Sequence, residues 1–169
     1  MPENENAEPV DDELRMIGVL DPRSGWEARH CSVVKALDVI GTKTAILLLR
    51  EAFYGTTRFD DFAERIGASQ AVTATRLREL LDAGLLIKEP YREPGQRTRE
   101  RYRLTAKGHD LLPVLVALMQ WGDRWENDGR RVALRHADCG ADVHAELRCS
   151  KGHEIGRNEL ELALRAKRR

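Results

Sequence analysis

Residues 69–104 read SQAVTATRLRELLDAGLLIKEPYREPGQRTRERYRL, and their interpretation decides the fold. Ser69 is a good helix N-cap, and Thr73, Leu77, Leu80 and Leu81 recur at helical spacing until Gly84 stops the run. That spacing predicts a helix with Ala71, Thr75, Arg78 and Asp82 on its outer side. Two segments rich in strand formers, LLIKEPY and TRERYRL, then flank the Pro94-Gly95 pair and predict a β-hairpin with an extended tip. Side chains alternate across a strand, so Arg97, Arg99, Arg101 and Arg103 are expected on one face and Thr98, Glu100, Tyr102 and Leu104 on the other.

Three shorter helical patterns precede this stretch. SVVKALDVIG places Val33, Val34, Leu37 and Ile40 on one side and stops at Gly41. KTAILLLREAFYG is dense enough in apolar residues to be a central buried helix, and RFDDFAERIG aligns Phe59, Phe62 and Ile66 before Gly67. After the hairpin, Thr105 caps a long amphipathic segment carrying Leu111, Leu112, Leu115, Leu118, Met119 and Trp125, in which Pro113 either kinks the helix or marks its true first turn. Its apolar stripe is either core or a dimer interface, and its width favours the interface. The expected class is mainly α with one small β-hairpin, a winged helix-turn-helix with a long C-terminal dimerisation helix.

With 169 residues the chain is long enough for one domain with extensions. Three parts are expected: an acidic, largely disordered arm over 1–26, a winged helix-turn-helix over 27–128, and a Cys/His-containing tail over 129–169 with a possible small hairpin and a basic end. Within the arm, LRMIGVL (14–20) has the composition either of a short packed turn or of a segment that adds to a partner chain. Lys+Arg and Asp+Glu are both 28, so net charge alone neither proves nor excludes a nucleic-acid partner. Distribution is more informative: residues 1–29 hold eight acids and three arginines, whereas 86–107 hold seven bases and three acids. No run of about 18 apolar residues and no secretory leader pattern is present, so no membrane partner is expected and the cytoplasm is the expected location. Three cysteines in such a compartment argue against a disulfide framework.

The motifs CSVVKALDVIGTK (31–43), LLLRE (47–51), RFDDF (58–62), RLRELLDAGLL (76–86), YRLTAKG (102–108) and WGDRW (121–125) together resemble the HxlR-type bacterial transcriptional regulators, relatives of the MarR group. The resemblance covers roughly residues 31–125. It implies a homodimer that binds pseudo-palindromic operator DNA near its own or neighbouring genes, without enzymatic activity. Two positions depart from the family pattern: Thr44 replaces a tryptophan after the first helix, and Thr73 replaces a bulky residue on the inner side of the recognition helix.

Phosphate neutralisation supplies most DNA affinity, and base edges in the major groove supply sequence preference. The N-terminal part of a recognition helix meets those edges. Gln70, Ala71 and Thr75 are therefore the candidates for base readout, with Gln suited to adenine and Ala or the Thr methyl to thymine. Ser69 would cap the helix and offer its amide to phosphate, and Arg76 and Arg78 are candidate phosphate clamps. For Arg76 the alternative is an ion pair with Glu79 or Asp82. On the wing, Arg97 and Arg99 are ranked first, Arg101 intermediate, and Arg103 is expected to pair with acids of its own domain.

Cys31 precedes the first helix, where a helix N-terminus favours a thiolate, and the resemblance implies a sensing role, since in several relatives the matching cysteine senses oxidants or electrophiles. The alternative is a small apolar residue tucked under the helix. In the tail, His136, Cys139, Cys149 and His153 have a spacing compatible with structural zinc, although each half lacks the second cysteine of a standard knuckle. No other cofactor is expected. A small-molecule effector is expected on the regulatory reading. Two further classes stay open on sequence alone: a winged-helix module for protein assembly, and a metal-dependent enzyme built on the Cys/His tail, against which stands the absence of any paired base and nucleophile motif.

Overall fold

The computed structural model describes residues 15–20, 31–92, 95, 97–126 and 132–164. In chain order the elements are β1 (Arg15–Met16), α1 (Ser32–Ile40), α2 (Lys43–Phe53), α3 (Phe59–Ile66), α4 (Gln70–Asp82), β2 (Leu86–Tyr91), β3 (Arg99–Leu104), α5 (Ala106–His109), α6 (Leu112–Trp125) and β4 (Glu161–Leu162). The described residues fall into two compact units, one of 31–145 and one of 15–20 with 146–164. The larger unit therefore extends past the end of α6, to residue 145.

Local chemistry sets the helix boundaries in the larger unit. Thr42 caps α2 by accepting from the Ala45 amide at 3.1 Å, and Ser69 caps α4 by accepting from the Val72 amide at 3.3 Å. Gly67 ends α3 with φ of +64°, a left-handed conformation that disfavours side chains with a Cβ. Thr105 caps only the single turn of α5, through the Gly108 amide, and Pro113 then sits in the first turn of α6. The long C-terminal segment is thus two helices, and the proline starts the second, where its missing N–H costs nothing.

The core is formed where α2, α3 and α4 meet the base of the hairpin. Leu48, Leu49, Phe62 and Leu77 are fully buried, with Leu80, Leu85, Leu86 and Leu115 around them. Each such side chain stabilises the fold by about 1.5–3 kcal/mol relative to exposure. One charge is enclosed with them. Glu51 accepts from Arg50 at 2.8 Å and from the Thr56 hydroxyl at 3.3 Å, with the Arg65 guanidinium 3.9 Å away, so α2, α3 and the turn between them share one carboxylate.

The strands β2 and β3 pair antiparallel, with Glu89 opposite Arg101, Lys88 opposite Tyr102 and Leu86 opposite Leu104. Tyr102 holds this hairpin to the helices: its amide donates to the Thr57 carbonyl at 2.8 Å, and its ring meets Phe62 edge-on at 5.9 Å. The alternation expected of the arginines holds from Arg99 to Arg103. Arg97 departs from it, because the turn around Gly95 needs more residues and β3 begins only at Arg99.

In the smaller unit, β1 and β4 pair in parallel, Arg15 with Glu161 and Met16 with Leu162, and Gly18–Leu20 make a short 3-10 turn that buries Leu20. This is the packed turn expected within 14–20. The rest of the acidic arm and the basic end at 165–169 lie outside the described residues.

Two substitutions test the packing. Thr73 is fully buried and its Oγ1 has no hydrogen-bond partner among the described residues. Thr73→Val keeps the shape and removes an unsatisfied hydroxyl, so it should raise stability by about 1 kcal/mol, read as a higher midpoint in thermal unfolding. Gly108 is close-packed: a Cβ there would lie 2.3 Å from the Leu85 carbonyl oxygen. Gly108→Ala should lower stability by roughly 1–3 kcal/mol in the same measurement.

Candidate nucleic-acid interface

Burial of Thr73, Leu77 and Leu80 fixes the rotation of α4 about its own axis. The opposite side, with Gln70, Ala71, Thr75 and Arg78, is left exposed. Ser69 uses its hydroxyl on the Val72 amide, and the Thr75 hydroxyl donates to the Ala71 carbonyl at 3.0 Å, which leaves the Thr75 methyl to face outward contacts. The candidates for base readout therefore share one accessible surface.

The basic groups divide into two kinds. Arg78, Arg97 and Arg99 are exposed and form no ion pair with any described residue. Arg76 is ion-paired with Glu79 one turn along the helix, the alternative named for it from sequence. Arg101 donates through Nε and Nη2 to Glu89 at 3.3 and 3.2 Å, and Arg103 approaches the same carboxylate at 3.9 Å. Arg76 and Arg101 reach a phosphate only by leaving these pairs. Exposed pairs of this kind are worth about 0–1 kcal/mol, which a phosphate contact can replace.

On the other face of the wing, the Lys88 ammonium donates to Glu100 at 2.8 Å. That hydrogen bond raises the Lys88 pKa above the usual lysine value, so its charge is fixed across any physiological pH.

Two further residues beside this surface were not singled out from sequence. Val72 is an apolar side chain in the first turn of α4 yet 45% exposed, beside Ala71 on the presented surface. An exposed apolar residue there can touch a thymine methyl, and its position one residue before the buried Thr73 was the available signal. Arg58 stands at the start of α3 with its guanidinium 5.7 Å from the Tyr91 ring, so an aromatic contact ties the end of β2 to the helix-turn-helix.

Cys31 is half-buried at the N-cap of α1 and its side chain makes no capping hydrogen bond. The flanking His30 lies outside the described residues. His136 and Cys139 form a turn closed by the Gly140 amide on the His136 carbonyl at 2.8 Å, with His136 Nδ1 3.3 Å from Cys139 Sγ. Cys149 and His153 form a separate turn in the smaller unit, closed by the Cys149 amide on the His153 carbonyl at 3.0 Å. The four candidate zinc ligands are thus two pairs, one in each unit. Among the described residues no three His, Cys, Asp or Glu side chains come together as a metal-holding group.

A helix-turn-helix with an exposed recognition surface and a basic wing defines a DNA-binding protein of the winged class. Residues 39–130 match the family model described as HxlR-like helix-turn-helix. A helix-turn-helix-type transcriptional regulator of Mycobacterium tuberculosis, Rv3095, described as uncharacterized, is 39% identical over 127 residues, covering 73% of this chain and 79% of its own. Among solved structures, PA1607, described as a candidate transcription factor, superposes with a TM-score of 0.72 at 33% identity, over 80% of this chain and 96% of its own. The redox regulator HypR in its reduced form superposes with a TM-score of 0.51 at 28% identity, over 57% of this chain and 95% of its own. The chain belongs to the HxlR-like helix-turn-helix family. It is a DNA-binding transcriptional regulator and not an enzyme. Among the described residues no helix is long and apolar enough to cross a membrane.

The division of the arginines gives a graded expectation. Arg78→Ala, Arg97→Ala and Arg99→Ala should each reduce the slope of log affinity against log salt by about one, measured by DNA titration at several salt concentrations. Arg103→Ala should leave that slope unchanged.

Proposed function

We propose that the chain acts as a homodimeric, sequence-specific repressor of its own or adjacent genes, located in the cytoplasm and released from its operator by a small-molecule or thiol-reactive signal. The observation that carries the dimer is the state of α1. This nine-residue helix buries only Ile40, while Val33 and Leu37 are 63% and 57% exposed. An isolated helix of that length is marginal in water, so its apolar side needs a covering surface. Helix α6 offers a second such stripe, Val114, Leu118, Trp121 and Trp125, at alternating four- and three-residue spacing, with Trp121 58% exposed. Two copies joined through α1 and α6 would bury both stripes, and the two-fold symmetry of such a pair matches a pseudo-palindromic operator.

Base readout is assigned to Gln70, Ala71 and Thr75, and phosphate contact to Ser69, Arg78, Arg97 and Arg99, with Arg76 and Arg101 joining after exchange of their ion pairs. The likeness to HypR supports a thiol response, for which Cys31 is the candidate.

Gel mobility shift with the gene's own upstream region tests the reading, and specific retardation abolished by a combined Arg78→Ala and Arg97→Ala substitution is the expected result. Retardation unaffected by both changes would remove the assigned DNA face. Leu118→Asp places a charge in the α6 stripe and should convert dimer to monomer in sedimentation, with operator affinity falling by more than tenfold. Oxidant should release operator DNA from the native chain but not from Cys31→Ser; equal release from both excludes Cys31 as the sensor.

A further inference from the structure

Residues 132–145 fold back along α6 as a small strap, and what lies beneath it has the character of a ligand site. The strap is a narrow hairpin: Arg135 bridges to Asp142, the Val143 amide donates to Leu134 at 2.8 Å, and the His136 amide donates to Ala141 at 2.8 Å. One side chain of α6 clips it down. Gln120 Nε2 donates to the Val143 carbonyl at 3.1 Å and lies 3.1 Å from His144 Nδ1, while Gln120 Oε1 accepts from the Ala145 amide at 3.0 Å. Both ends of the amide are thus committed to strap backbone.

Between strap and helix is a cavity of 420 Å³, bounded by Val116, Met119, Val132, Leu134 and Val143. A second cavity of 190 Å³ shares Val116, Met119 and Leu134 with it and continues toward Phe53, Tyr54 and Leu112. The first alone falls within the ~300–1,000 Å³ range of small-molecule sites.

The lining also restricts the occupant's chemistry. Its charged groups are engaged: Asp142 with Arg135 at 3.4 Å, Arg50 with Glu51 at 2.8 Å, and Arg124 over the Trp125 ring at 4.8 Å, while Asp123 also has an interaction within the chain. In the second cavity Arg50, held by Glu51, is the one charged lining residue among the described residues, so a charged ligand gains no free counter-charge there. Tyr54 differs. Among the described residues its hydroxyl donates only toward Met119 Sδ at 3.8 Å, a weak acceptor, so a carbonyl or ether oxygen is a better partner. We propose that the space between the strap and α6, continued into the cavity beside Tyr54, is a binding site for an uncharged, largely apolar molecule carrying one hydrogen-bond acceptor, held by apolar contact and by the Tyr54 hydroxyl.

The site rests on the reading of the chain as an effector-controlled regulator, and it supplies the small-molecule side of that reading. Its residues Val116, Met119, Gln120 and Asp123 occupy the side of α6 opposite Val114, Leu118, Trp121 and Trp125. A molecule wedged under the strap therefore presses on the helix that carries the proposed dimer stripe from behind, without competing for that stripe.

The test uses the full chain and prodan, a neutral naphthyl ketone whose emission shifts to the blue in apolar surroundings. Saturable, blue-shifted binding of about one prodan per chain is expected. Ala133→Trp, at an exposed position lining both cavities, should weaken it at least tenfold while thermal unfolding is unchanged. Tyr54→Phe should weaken it about fivefold through the lost hydrogen bond, and the anionic probe 1-anilinonaphthalene-8-sulfonate should bind at least tenfold more weakly than prodan. Leu118→Gln, on the opposite stripe, should change prodan affinity less than twofold. Unaltered binding by Ala133→Trp, its loss in Leu118→Gln, or equal affinity for the anionic probe would overturn the assignment. Operator titration in parallel separates the two readings: prodan bound under the strap by a chain that fails to bind its operator keeps the site and removes the regulatory reading, whereas operator binding without prodan binding removes the site alone.

Discussion

The structure depends on how α4 is anchored. Thr73, Leu77 and Leu80 must be buried against Leu48, Leu49 and Phe62 while the first turn of the same helix stays free. The shared Glu51 carboxylate helps by holding α2 and α3 in one arrangement, since moving either would leave a buried charge without its partners. Packing at one side of α4 thus decides which side chains are offered at the other. The surface that α4 offers is set by a hydrophobic constraint on its opposite side.

The wing obeys a similar economy. Tyr102 is at once a strand residue, an aromatic neighbour of Phe62 and a backbone donor to Thr57. These contacts orient the opposite face of β3, where the arginines are. Because Arg101 and Arg103 both turn to Glu89 on the adjacent strand, the exposed wing charge without an ion pair among the described residues lies toward its tip, at Arg99 and Arg97.

Much of this was legible in the sequence, for physical reasons. Helices that end at Gly67 or Gly84 and bury leucines at three- and four-residue spacing announce themselves, because a left-handed stop and a one-sided apolar face each need particular residues. The exposed set Ala71, Thr75, Arg78 and Asp82 followed from the same periodicity. Contacts that hinge on register were harder. Which arginine meets Glu89 depends on pairing residue 89 with 101, and whether Arg97 belongs to the strand depends on how many residues the turn consumes. The Gln120 clip was invisible for another reason: its partners are backbone groups of Val143 and Ala145, which every sequence supplies. Likewise the boundary of the larger unit falls at 145, beyond the helical pattern that guided the reading to 128.

The shared Glu89 has a kinetic consequence. A chain with equal numbers of acidic and basic residues generates little far field, and the wing's own acid cancels part of what its arginines would project. At physiological salt, charge is felt over about 8 Å. Attraction to a duplex therefore begins only when the wing tip is nearly in place. Long-range steering and lengthy one-dimensional sliding then give way to many brief encounters. Such a regulator leaves unrelated DNA quickly, and its occupancy of a promoter tracks the quality of the site more than the amount of DNA in the cell.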